Sequence, residues 1–231
     1  MGSKNRIAKD MLPIMLANRG PDQYWVEPFV GGANMIDKVG GNRIGADTNH
    51  YLIALLLEMQ KPTFEAPYIT REEYYKIKES RCEYPDWLVG FAGFQLSFGA
   101  KWFDSYSNNA MGYDYAMRAK RNVDRQAEKL DGIEFKVCDY RELDIPENSL
   151  IYCDPPYAGA TKYKAVDEFD SVQFWDWCRD MICEGHDVFV SEYSAPDDFK
   201  SVWSKLIGNN MARGVNANKK TKLEKLFTFF V

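Results

Sequence analysis

The sequence predicts an α/β protein in which helices cover both faces of an open, mostly parallel sheet. Short apolar runs with strand character alternate with helical stretches along most of the chain, and this alternation is typical of parallel sheets. The 231 residues, of which 45% are hydrophobic, suit one large domain or one domain that carries an insert.

The elements are expected in a regular order. Helices are predicted at 49–60 and 171–185, where Gly185 stands in the position that ends the second helix. Strands are predicted at 24–30, 43–47, 133–139, 149–154, 187–193 and 225–231.

The stretch "YCDPPY" shows how the strand at 149–154 must end. Pro155 and Pro156 follow Asp154, and neither proline can donate a backbone hydrogen bond to a central strand. The residue before each proline is also restricted to extended geometry. The strand should therefore end on a stiff platform that presents a carboxylate, free carbonyl groups and the ring of Tyr157.

Residues 61–130 interrupt the alternation, because they contain helical patterns and no strand pattern. Thr70 and Glu73 have the spacing of a capping box, and the loop "GAKWFDSYSNNAMG" is rich in small, polar and aromatic residues. We expect a helical insert at 61–130 between two parts of one sheet domain, at 1–60 and 131–231.

Composition and charge exclude several classes of protein. No apolar run approaches the length of a membrane span, and the charged start "MGSKNRIAKD" does not resemble a secretion signal. Five cysteines without a CxxC pair favour reduced cytoplasmic thiols and no metal. The net charge is −5, yet residues 200–231 contain seven Lys and Arg against one acid, which is weak evidence for a polyanionic partner.

Glycines and acidic residues lie at the carboxyl ends of the predicted strands, which is where open α/β sheets bind ligands. Gly31 and Gly32 follow the first strand and permit close approach of a ligand to the backbone. Acidic residues, Asp47, Asp139 and Asp154, end the next three strands. Acids in these places suit a nucleoside or a cation better than a pyrophosphate.

The stretches "GSKNRIAK", "EPFVGG", "GADTN", "FKVCDY" and "YCDPPY", in this order, resemble the Dam-type N6-adenine DNA methyltransferases. The resemblance spans nearly the whole chain. It implies a Rossmann-like sheet of seven strands, S-adenosylmethionine as methyl donor with S-adenosylhomocysteine as product, and double-stranded DNA as substrate. It also implies that 61–130 recognises the target. We expect a cytoplasmic monomer or weak dimer in a bacterial or phage-infected cell, with no membrane partner.

The same resemblance implies the catalytic residues. Asp154 and the Pro155 carbonyl resemble the acceptors of the adenine amino group, and Tyr157 resembles the ring that stacks on the flipped base. An adenine amino group is a weak nucleophile, so two acceptors on its hydrogens would localise the lone pair and stabilise the developing positive charge.

For the cofactor, the resemblance implies contacts from residues at the strand ends and from the amino terminus. Lys4 resembles the lysine that meets the methionine carboxylate, Asp47 the acid that binds the ribose, and Asp139 the acid near the cofactor's adenine. Phe29 and Gly31 resemble the first cofactor motif, and Asp154 also borders the cofactor. The family places an aromatic residue shortly before this lysine, whereas the given sequence begins three residues before Lys4. That departure puts cofactor affinity in question.

Contacts to DNA are expected from the insert and from the basic carboxyl-terminal stretch. Lys101 resembles a phosphate contact and Tyr106 a residue that reaches or wedges between bases. Lys219 and Lys220 resemble a basic hairpin that clamps the DNA backbone.

Two other functions remain compatible with the sequence. The same fold and platform could methylate another planar amine, such as an RNA base or a protein glutamine, although such enzymes more often carry Asn at the position of Asp154. The chain could also be a DNA-binding module without catalytic activity.

Overall fold

The computed structural model describes residues 4–107, 113–156, 169–208 and 221–229. Its centre is a sheet of seven strands in the order β3-β2-β1-β4-β5-β7-β6. The first five strands along the chain pair in parallel, and β7 pairs antiparallel with both β5 and β6. The strands are β1 (Trp25–Glu27), β2 (Arg43–Asp47), β3 (Ile133–Val137), β4 (Leu150–Cys153), β5 (Asp187–Glu192), β6 (Phe199–Gly208) and β7 (Thr221–Phe229).

The six predicted strands are all present: β2 has the predicted bounds, and the other five differ at one end or at both. The first is shorter than expected because Pro28, which lacks a backbone donor, directly follows Glu27. The fourth ends at Cys153, one residue before the Asp-Pro-Pro platform. The strand β6 is not marked by an apolar run in the sequence, because it lies on the edge of the sheet and its side chains are mostly exposed.

Helices cover both faces of the sheet, as the sequence predicts. Alternate residues of β4 divide between two apolar clusters: Leu150 and Tyr152 belong to one, and Ile151 and Cys153 to the other. The first cluster is covered by α1 (Ala8–Met15), α2 (His50–Met59) and α5 (Tyr115–Ala127), and the second by α6 (Ser171–Cys183).

The described parts of residues 61–130 consist of helices and the loops that join them, and their one strand-like pairing is an isolated bridge between Ser97 and Tyr106. Thr70 and Glu73 make both hydrogen bonds of the expected capping box at the start of α3 (Arg71–Glu79). The helix α4 (Asp86–Gly90) continues into a wider turn at Phe91–Gln95. Tyr74 and Phe91 of this segment are buried in the same apolar cluster as residues of the sheet, so the segment and the sheet share one core.

In the part of the chain that the structure describes, no helix has both the length and the apolar character that a bilayer crossing requires.

Candidate active site

The three acids that the sequence places at strand ends lie along one edge of the sheet. Asp47 is the last residue of β2, Asp139 lies two residues beyond β3, and Asp154 directly follows β4. These strands are parallel, and β1 lies between β2 and β4. The carboxyl ends of β1 to β4 therefore form one continuous rim.

Asp47 binds the loop that follows β1. One of its oxygens accepts a hydrogen bond from the Gly31 amide at 3.2 Å, and the other accepts from the Asn49 amide at 2.9 Å. Gly31 has φ of 51°, a left-handed conformation that glycine adopts without strain. Burial raises the pKa of the Asp47 carboxyl above its usual value, while the two amides act in the opposite direction.

Phe29 lies in the same loop and belongs to an aromatic cluster. Its ring centroid is 5.2 Å from that of Tyr140 and 5.7 Å from that of Phe174. Because Tyr140 follows Asp139 in the chain, this packing joins the β1 loop to the end of β3. Phe29 and Gly31 are thus brought to the same rim as the acids.

Asp139 is engaged by its neighbour Arg141. The Arg141 Nε atom lies 2.7 Å from Oδ1 of Asp139, and Nη2 donates to Oδ2 at 3.1 Å. The hydrogen bonds from this guanidinium hold the pKa of Asp139 below its usual value. The Asp139 side chain remains 26% exposed, so its carboxylate is both paired and open to solvent.

Asp154 forms an ionic cluster with residues that are distant in sequence. The Lys4 ammonium lies 3.0 Å from Oδ1 of Asp154 and 2.7 Å from Oε1 of Glu224. The side chains are 10%, 23% and 8% exposed for Lys4, Asp154 and Glu224. Burial acts to lower the pKa of Lys4, but the two carboxylates raise it above its usual value.

Pro155 lines a cavity of about 230 Å³ beside this cluster. The cavity is bounded by apolar rings, including Phe174 and Trp175, and by the polar side chains of Glu192 and Ser194. It therefore combines apolar side chains with a few hydrogen-bonding groups, as small-molecule sites commonly do.

Of the residues predicted to contact DNA or the flipped base, the structure describes Lys101 and Tyr106. Lys101 is exposed. The Tyr106 hydroxyl donates a 3.0 Å hydrogen bond to the Ile69 carbonyl, and its ring lies 5.3 Å from that of Tyr74. Tyr157, Lys219 and Lys220 lie outside the described residues.

Two acids near Asp154 were not predicted as part of the site. Glu224 was counted only as one charge in the basic stretch, although it alternates with the buried Leu226 along β7; this period of two was the available signal. Glu27 ends β1 and accepts a 2.8 Å hydrogen bond from the Trp25 indole. Burial raises the pKa of Glu27 well above its usual value.

The described residues contain no group of three or more His, Cys, Asp or Glu side chains arranged to hold a metal ion.

The chain is similar in sequence to a known methyltransferase. The Type II methyltransferase M.FokI of Planomicrobium okeanokoites is 25% identical to the chain over 193 residues, which are 68% of this chain and 28% of that protein. The chain thus spans less than a third of that relative's length.

Two solved structures are similar over nearly the whole chain at low identity. The match to the structure of SMU.472 complexed with SAH covers 99% of this chain and 52% of the SMU.472 chain, with 12% identity and a TM-score of 0.41. The match to the rRNA methyltransferase aviRa from Streptomyces viridochromogenes covers 97% of this chain and 84% of the aviRa chain, with 13% identity and a TM-score of 0.43.

The family model for D12 class N6 adenine-specific DNA methyltransferases matches residues 1–195. This match includes Lys4, the loop after β1, and all three strand-end acids, and it extends over most of the 231 residues. The chain belongs to the D12 class of N6 adenine-specific DNA methyltransferases.

Proposed function

We propose that the chain transfers a methyl group from S-adenosylmethionine to the N6 amino group of an adenine flipped out of duplex DNA. The observation that carries this proposal is the 3.0 Å contact between Lys4 Nζ and Asp154 Oδ1. It joins the amino-terminal motif to the Asp-Pro-Pro platform. The segment that resembles a cofactor contact and the segment that resembles an adenine contact therefore share one site.

The residues of the rim fit this cofactor. Asp47 is held by backbone amides rather than by a cation, and each carboxylate oxygen can accept more than one hydrogen bond, so ribose hydroxyls could donate to it. Lys4 would face the methionine carboxylate, and Phe29 and Asp139 would lie near the cofactor's adenine. The cofactor supplies a methyl group that is activated by the positively charged sulfur to which it is bonded.

Asp154 and Pro155 would act on the adenine amino group. The Asp154 carboxylate and the Pro155 carbonyl would each accept one amino hydrogen, which localises the nitrogen lone pair and stabilises the charge that develops there. Both groups are fixed by the end of β4 and by the proline backbone, so little reorganisation is needed as the nitrogen becomes tetrahedral.

The cavity beside Pro155 supports the idea of a flipped base. An adenine amino group inside a duplex is out of reach, and enzymes of this kind extrude the base at a cost of about a few kcal/mol. Phe174 and Trp175 line this cavity together with Pro155. In the proposal, Tyr157 adds a stacking surface for the same base.

DNA would be bound by the helical segment 61–130 and by the basic stretch that contains Lys219 and Lys220. The exposed position of Lys101 supports a contact to phosphate. Tyr106 would reach a base only by breaking its hydrogen bond to Ile69, so in the present arrangement it would hold the loop that carries Lys101.

The test is transfer of labelled methyl groups by the purified chain. Duplex DNA, single-stranded RNA and a glutamine-rich protein would each be incubated with methyl-labelled S-adenosylmethionine, and the nucleic acids would then be digested to nucleosides. We expect label in N6-methyldeoxyadenosine from the duplex. Label in methylated cytosine, in RNA or in protein alone would point to another amine, and binding of DNA without any transfer would indicate a non-catalytic module.

A further inference from the structure

Gln126 is a polar residue on the inward face of α5. The side chains of Ala116, Ala119 and Val123 are buried on this helix, and Gln126 follows Val123 by three positions and Ala119 by seven. Residues at these spacings lie on the same side of a helix. A polar side chain on a buried face requires hydrogen-bond partners.

The partners of Gln126 are two carbonyl groups in the loop that follows β1. The Gln126 Nε2 atom donates to the Gly32 carbonyl at 2.8 Å and to the Ala33 carbonyl at 3.3 Å. Because both acceptors are carbonyl oxygens, only the NH2 end of the side-chain amide can face them. The helical segment 61–130 therefore contacts the same loop that carries Gly31.

This loop has a backbone conformation that needs support. Gly31 and Ala33 have positive φ angles of 51° and 54°, and an alanine enters this left-handed region only at a cost in free energy. Such a conformation persists where the surrounding structure imposes it. In this conformation the Gly31 amide donates to the Asp47 carboxylate at 3.2 Å, so the turn at 31–33 and the acid proposed to bind the ribose are linked.

The helix α5 is a firm support for the contact. The Asp124 carboxylate accepts a 2.8 Å hydrogen bond from the Ala66 amide, and the Lys120 ammonium donates to the Ala66 carbonyl at 2.7 Å. These contacts add to the burial of Val123 and fix the helix against the chain that precedes it. The donor thus lies on an anchored helix, whereas its two acceptors lie on a turn with unfavourable backbone angles.

We propose that Gln126 is a positioning residue for the cofactor, which holds the turn at 31–33 in the conformation that binds S-adenosylmethionine. The inference rests on the proposed function. It means that the segment expected to recognise DNA also shapes the cofactor site, although Gln126 itself need not touch the cofactor.

The experiment measures the affinity for S-adenosylmethionine by calorimetry on the full chain. Gln126→Met keeps the length of the side chain and removes its donors, so the affinity should fall about tenfold as the turn relaxes. The matched control is Gln60→Met. Gln60 also donates from Nε2 to two backbone carbonyls, those of Leu130 and Ile133 at 2.8 and 2.7 Å, but Ile133 begins β3 at the opposite edge of the sheet.

The control separates positioning from general loosening of the structure. Each substitution removes two hydrogen bonds to backbone carbonyls, so both should lower the midpoint of urea unfolding by similar amounts. Gln60→Met should nevertheless keep the parent's affinity for S-adenosylmethionine within about twofold, because its acceptors are distant from the cofactor loop.

Gln126→Glu tests the direction of the hydrogen bonds. An ionised carboxylate has nearly the size of the amide but no donor, and it would turn an oxygen toward the two carbonyls. The affinity should therefore fall at least as far as in Gln126→Met. At saturating S-adenosylmethionine, the single-turnover rate of Gln126→Met should stay within about twofold of the parent's, because Asp154 and Pro155 are untouched.

The outcomes distinguish this inference from the proposed function. The parent's affinity in Gln126→Met, or an equal loss of affinity in Gln60→Met, would overturn the inference and leave methyl transfer by the parent intact. Should Gln126→Glu fail to fold, the comparison of the two methionine variants decides alone. A parent chain that does not bind S-adenosylmethionine overturns the proposed function and this inference together.

Discussion

The two sides of the sheet's carboxyl rim hold their acids by different means. On the side of β2, Asp47 is held by the amides of Gly31 and Asn49. On the side of β4, Asp154 is held by the Lys4 ammonium, which it shares with Glu224. Both acids end parallel strands of one sheet, so their different surroundings come from the loops and from β7 and not from the strands themselves.

This difference matches the chemistry proposed for each side. The hydroxyl groups of a ribose are neutral hydrogen-bond donors. Because the Asp47 carboxylate is held by neutral amides and not by a cation, its negative charge can strengthen hydrogen bonds from these hydroxyls. In the proposed methyl transfer, positive charge passes from the sulfonium to the adenine nitrogen, and the Asp154 carboxylate would accept a hydrogen from that nitrogen as its charge develops. We therefore expect substitutions on the β4 side to alter stability and chemistry most, and those on the β2 side to alter mainly cofactor binding.

Lys4→Met should have the largest effect on stability. It leaves the carboxylates of Asp154 and Glu224 close together without the ammonium, and the free energy of unfolding should fall by about 3 kcal/mol, as for other broken buried ion pairs. Urea unfolding at neutral pH measures this. The matched control is Lys205→Met. The Lys205 ammonium lies 2.7 Å from the Asp10 carboxylate, but the Lys205 side chain is 48% exposed. The free energy of unfolding should therefore fall by less than about 1 kcal/mol in this variant. Equal losses would remove the distinction between the two pairs.

Asp47→Ala should weaken S-adenosylmethionine binding by about 1–3 kcal/mol, because the Gly31 amide and the ribose hydroxyls lose their acceptor. Unfolding should change less than in Lys4→Met. Calorimetry that gives the parent's affinity would take Asp47 out of the cofactor site.

The ionisation of Asp47 should affect both stability and cofactor affinity as the pH changes. Its folded pKa is raised by burial, so the folded chain holds this proton more tightly than the unfolded chain does. Ionising Asp47 therefore costs stability, and this cost appears as pH rises from about 3.9 through the folded pKa. Cofactor affinity should change in the opposite sense and fall as pH drops through that pKa. In Asp47→Asn this step should be missing from the affinity profile.

Asp139→Asn should have the smallest effect. Arg141 lowers the folded pKa of Asp139, so its contribution to stability is present above about pH 3.9 and is lost as pH falls through the folded pKa. Because Arg141 is 51% exposed, solvent screens the pair and less than about 1 kcal/mol of unfolding free energy is at stake. When stability is measured against pH in the acid range, the change from the parent should have opposite signs in Asp139→Asn and in Asp47→Asn.

Much of the fold and the rim was predictable from the sequence. The alternation of apolar runs gave the order of strands and helices, and the paired prolines gave the end of β4. The strand-end acids could be placed on one rim because parallel strands end on the same edge.

What the sequence did not reveal depends on contacts between distant residues. Glu224 stands among lysines, and only its alternation with Leu226 along β7 hinted that it points inward. Arg141 was overlooked as the partner of Asp139, because a charged residue two positions away resembles an ordinary surface charge. The hydrogen bond from the Tyr106 hydroxyl to the Ile69 carbonyl also joins residues 37 positions apart.

The rate of the chemical step in Asp154→Ala tests the central claim most directly. Single-turnover methylation of duplex DNA at saturating cofactor would be measured for the parent and the variant, with DNA binding measured in parallel. We predict that the rate falls by at least about 10²-fold, as when one electrostatic contact to the transition state is removed, while the dissociation constant for DNA stays within about twofold because the proposed phosphate contacts lie elsewhere. An Asp154→Ala chain that methylates adenine at the parent's rate would contradict the account.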